Sequence, residues 1–150
     1  MGYYMRFVVT DKKGLDLQLI EKGLKQSDTA YTIANRRSDR NMGDIIYGGE
    51  TLGQIEINGP GDSLFSEELQ ELKEFAEEAH GRQLKKVLDC LNRAKLIVAV
   101  QVLFQEKNPE ATLERLGPLW QWLFMNRDGL LQVDGEGYYN GKPELIFEVE

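Results

Sequence analysis

A single cysteine, Cys90, rules out an internal disulfide and with it the staples that small secreted domains depend on. His80 is likewise the only histidine, so a zinc site of the usual Cys/His kind lacks its ligands. No CxxC, no His-Glu-x-x-His and no phosphate-binding P-loop occurs in the chain. Long hydrophobic runs are missing too. The longest, Leu96 to Phe104, is interrupted by Gln101 and is far too short to span a bilayer. Met1-Gly-Tyr-Tyr-Met-Arg-Phe7 has neither the basic region nor the apolar run of a secretion signal. Basic residues number 18 against 25 acids, and a net charge of −7 disfavours nonspecific contact with nucleic acid or an anionic membrane. These absences lead us to expect a cytoplasmic protein with no metal, no cofactor, no membrane partner and no nucleic-acid partner.

What is present fits one α+β domain spanning residues 1–150, since that length can bury a proper core without staples. Tyr3, Met5, Phe7 and Val9 alternate with polar positions and predict a strand with one buried face. Leu17, Ile20 and Leu24 form the inner stripe of a short helix that Gly23 weakens. A strand is expected at Ala30–Ala34, then a polar loop from Asn35 to Gly43. Asp44–Tyr47 and Glu50–Asn58 flank Gly48-Gly49, a two-residue hairpin signal. Phe65, Leu69, Leu72 and Ala76 keep helical spacing, as do Leu84, Val87, Leu88 and Leu91, and the reading is one helix over 66–94, kinked at Gly81 or replaced by two helices joined there. Lys95–Gln105 reads as a central strand apolar on both faces. Asn108-Pro109 starts another helix that Pro118 should kink or restart. Leu130–Val133 and Glu144–Val149 supply the last strands, with a hairpin turn at Asn140-Gly141. This order is read as a ferredoxin-like split βαβ core (β-α-β-β-α-β) with an appended helix and a C-terminal β-hairpin.

Chemistry has few places to reside. Arg36, Arg37 and Arg40 cluster in the predicted loop, where guanidinium forks can bind the phosphate or carboxylate of an anionic small molecule. Pairing with Asp39 or with the acidic helix is the plainer role. His80, beside Gly81, projects towards an apolar stripe as a proton-transfer or pH-sensitive residue, although it has no visible partner. Cys90 lies near that stripe and is expected to behave as a small buried hydrophobe. Asp134-Gly-Glu-Gly137 fails the calcium-loop pattern and reads as a glycine-rich turn.

Surplus apolar surface suggests an interface. Trp122 falls opposite the inner stripe of its helix, and a split βαβ core covers only one face of its sheet, leaving Ile97 and Leu103 to be covered by the appended helix or a second subunit. Two function classes follow: a non-enzymatic interaction or regulatory protein that forms a homodimer, and a small-ligand protein or enzyme acting on an anion through Arg36, Arg37 and Arg40.

Overall fold

Tyr3, Met5, Phe7 and Val9 face one way and Tyr4, Arg6 and Val8 the other, and this period of two builds β1 (Tyr3–Val9) near the middle of a sheet. The computed structural model describes residues 2–37, 41–78, 84–104 and 108–141, with the backbone of Leu145–Glu148. Asp16 caps α1 (Leu17–Ser27), its carboxylate accepting from the Leu19 N–H at 2.7 Å. Then come β2 (Tyr31–Arg37), β3 (Met42–Tyr47) and β4 (Glu50–Asn58). Gly48 and Gly49 both take positive φ between β3 and β4, as a tight hairpin turn requires. Of the segment expected as a loop over Asn35–Gly43, residues 35–37 and 42–43 are strand, and 38–40 lie outside the described residues. Asn35 and Asn41 take positive φ there, and the β2–β3 register slips between Ala34 and Arg37, as at a bulge.

The single helix expected over 66–94 is instead two, α2 (Ser63–Glu78) and α3 (Leu84–Asn92), with 79–83 outside the described residues. They contact one another, which the two halves of one straight helix cannot do. After β5 (Leu96–Val102), α4 (Pro109–Asn126) runs through Pro118 without restarting. Gly117 precedes that proline and, lacking a Cβ, escapes the clash that drives other pre-proline residues out of helical geometry. The last strands are β6 (Gly129–Val133), β7 (Gly137–Tyr139) and β8 (Leu145–Glu148), so Asp134-Gly-Glu-Gly137 is the β6–β7 turn, with Gly135 at positive φ.

All eight strands join one sheet in the order β2-β3-β4-β5-β1-β6-β7-β8, every neighbouring pair antiparallel. This corrects the ferredoxin-like layout. That layout allows two strands between its helices, whereas three lie between α1 and α2. It also requires β1 to separate the strands joined by the second helical connection, yet β4 and β5 pair directly and β1 lies outside them.

Helices cover both faces. On one, α1 and α4 bury Ile20, Leu24, Leu119 and Leu123 against Phe7, Val98 and Val100. On the other, α2 and α3 bury Phe65, Leu72, Val87 and Leu91 against Val8, Ile97 and Leu130. The chain therefore covers the second sheet face itself, and Ile97, expected at an interface, is fully buried beneath α2 and α3. Trp122, expected to face outward, packs on α1: a Cβ added at Gly23 would lie 2.3 Å from its Nε1. Gly23 is thus the notch that admits the indole. Leu103, past the end of β5, stays 43% exposed. No helix among the described residues is long and apolar enough to cross a membrane.

Candidate functional site

One edge of α4 does not close against the sheet. Leu113, Gly117, Trp120, Gln121 and Phe124 recur at three- and four-residue spacing and share that edge. Opposite them, period two brings Tyr3 and Met5 of β1 beside Leu131 and Val133 of β6, with Met5 in register with Val133. Between these walls is a cavity of about 580 Å³, also lined by Met125, Glu136 and Tyr139. Gly117 contributes to the space, since a Cβ there would meet no atom within 4 Å. A cavity of this size, largely apolar with a few polar groups, has the properties of a small-molecule site.

Its polar groups converge at two points. Tyr3 donates its hydroxyl to Glu136 Oε2 at 3.1 Å, and Tyr139 donates to Glu136 Oε1 at 2.5 Å. The β6–β7 turn places that carboxylate, and β1 and β7 supply the two phenols. Burial, and then the charge of Glu136, push Tyr3 well above the ordinary tyrosine range. The hydrogen bond to Glu136, with burial second, pushes Tyr139 up to about 12. The other point is Trp120. It is 6% exposed, and its Nε1–H is buried without an acceptor among the described residues, a costly state for an indole donor.

The opposite face carries a different feature. Met42, Glu56, Ala99, Arg6, Gln132 and Tyr138 lie in one cross-strand row, and Gln54, Gln101 and Tyr4 form the next. Arg6 donates to Glu68 of α2 at 2.7 Å, to Gln132 at 2.7 Å and to Asp134 at 2.9 Å, and its guanidinium lies 4.9 Å from the Tyr4 ring centroid. Burial works against its charge, but Glu68 and then Asp134 outweigh that and raise its pKa. Two smaller cavities, about 340 and 320 Å³, flank this bridge and share Arg6, Glu68 and Glu71. Here the polar groups pair with one another and tie α2 to the sheet, although Glu68 Oε1 is buried without a donor among the described residues.

The residues singled out in the sequence do not assemble into a site. Arg36 donates to Glu21 of α1 and to the Ile33 carbonyl. Burial alone would raise the Glu21 pKa, but the Ile33 N–H, the Thr32 hydroxyl and Arg36 hold it below its ordinary value. Arg37 is exposed at the end of β2, and Arg40 and His80 lie outside the described residues. Cys90 is buried; burial pushes its thiol up to about 11, which removes thiolate reactivity at neutral pH. The cavity residues escaped notice because each reads as core or turn in isolation. The available signal was Gly117, a gap in the apolar edge of α4, placed above the Tyr3–Met5 alternation. No protein-family model, curated protein or solved structure matches the chain.

Proposed function

We propose that this is a small-molecule-binding protein, and that its ligand is a largely apolar organic molecule lodged between α4 and strands β1, β6 and β7. The observation that carries this reading is the cavity of about 580 Å³ itself, largely apolar along α4 and β6 with the Glu136 carboxylate at its edge. The body of such a ligand would be desolvated there against Leu113, Phe124 and Leu131. Nile red is a suitable probe, being neutral and apolar, with a carbonyl acceptor and an emission that reports polarity. Titration should give saturable, blue-shifted fluorescence, and Gln121→Phe, which narrows the cavity from an exposed helix position, should weaken binding about tenfold, or about 1.4 kcal/mol. Unsaturable fluorescence, or an affinity that Gln121→Phe does not change, would refute the reading.

A second reading, self-association as a dimer, is favoured by Leu64 and Phe75, which are 52% and 59% exposed on α2. Trp122 and Ile97 no longer support it. Sedimentation should show a species heavier than the 17.2 kDa chain, and Phe75→Asp should return it to monomer. A strictly monomeric wild type removes this second reading.

A further inference from the structure

Resting on the reading of the α4 cavity as a ligand site, we infer that the ligand is an organic cation, an apolar or aromatic body bearing an ammonium group that sits against Glu136. Among the described residues that line the cavity, Glu136 is the one carboxylate and none is a lysine, arginine or histidine. Both its oxygens accept from phenols, so they are fixed in position without being neutralised. A carboxylate held by two neutral donors keeps its full charge to offer a ligand. The ring count points the same way. Tyr3, Tyr139, Trp120 and Phe124 all line the cavity, and aromatic faces beside a carboxylate are the surroundings that favour a weakly hydrated cation. Tyr3 is itself held edge-on by Phe104, with ring centroids 5.3 Å apart, and Phe124 by Phe7 at 4.8 Å. Those contacts fix the two rings before any ligand arrives, which lowers the ordering cost of binding. An anionic ligand would instead meet the like charge of Glu136. A neutral ligand would fill the cavity yet leave that charge unused. The net charge of −7 further favours the approach of cations over anions.

The test compares two isosteres by calorimetry: benzyltrimethylammonium, and neopentylbenzene, in which carbon replaces the nitrogen. The wild type should bind the cation at least about tenfold tighter than the hydrocarbon. Glu136→Gln should bring the two affinities to within about twofold by weakening the cation alone. Glu136 is exposed on a turn, so the core is left in place, and an unchanged hydrocarbon affinity in the variant verifies that the cavity persists. If the hydrocarbon binds the wild type as tightly as the cation, or the preference survives Glu136→Gln, the charge assignment is wrong while the cavity reading stands. If neither compound binds, both fall.

Discussion

The two faces of the sheet use their polar groups differently. Beneath α2, Arg6 is matched by Glu68, Gln132 and Asp134, and the polar groups consume one another to hold a helix in place. Beneath α4, Trp120 has a donor with no acceptor among the described residues, and Glu136 has two hydroxyls but no cation. Each side chain of the Arg6 network has a charged or polar partner, which makes it a structural device, although Glu68 Oε1 is buried without a donor among the described residues. An unsaturated network lining a cavity retains unused binding capacity. Polar residues should therefore matter to stability on the first face and to ligand affinity on the second.

The largest effects should not distinguish the faces at all, because both contain a close-packed core. Leu119 under α4 and Leu91 under α3 are each at most 1% exposed, so Leu119→Ala and Leu91→Ala should each cost about 2–5 kcal/mol in chemical denaturation. A cost below about 0.5 kcal/mol at either position would remove that helix from the core.

The contrast appears one step down. Arg6→Ala strands two partly buried carboxylates, and a loss of about 2–4 kcal/mol lies between the values for exposed and buried pairs. Arg6→Lys should recover only part of it, because an ammonium cannot reproduce a fork that reaches Glu68, Gln132 and Asp134 together. Glu136→Gln on the other face should change stability at neutral pH by less than about 0.5 kcal/mol, as surface substitutions usually do. Equal losses at Arg6 and Glu136 would dissolve the comparison.

The smallest effect is a titration. Tyr139 has its pKa raised to about 12 through its hydrogen bond to Glu136. A raised pKa in the folded state means the contribution of this bond is complete below about pH 10, the unfolded tyrosine value, and is lost as pH rises through about 12. Ultraviolet titration of phenolate should assign that late step to Tyr139, and Glu136→Gln should move it towards 10. An unmoved step would show that Glu136 is not the cause.

Periodicity made most elements legible before the structure. The alternation in β1, the Gly48-Gly49 turn and the Asn108-Pro109 helix start each have a local cause, so local sequence suffices to find them. Strand order is non-local. Gly81 marks a place where the 66–94 pattern can divide into two helices, but nothing in that pattern sets β5 directly beside β4. Trp122 was misjudged for the same reason: helical phase within α4 points it outward, but α1 offers a notch at Gly23 that only the packed structure reveals. The candidate site was the least legible part. Tyr3, Trp120, Glu136 and Tyr139 come from separate elements as far as 136 positions along the chain, and a cavity is defined by side chains that fail to meet.

The most direct measurement uses the chain's two tryptophans as probe and internal control. In ¹H–¹⁵N spectra, each indole Nε1–H gives its own signal. 2-Acetylnaphthalene, a flat apolar ketone, suits the cavity that the Trp120 ring lines. The Trp120 signal should move and saturate as the ketone is added, while the Trp122 signal, packed over Gly23, stays where it is. A stationary Trp120 signal, or equal and unsaturable shifts at both indoles, would contradict the assignment of the α4 cavity as a ligand site.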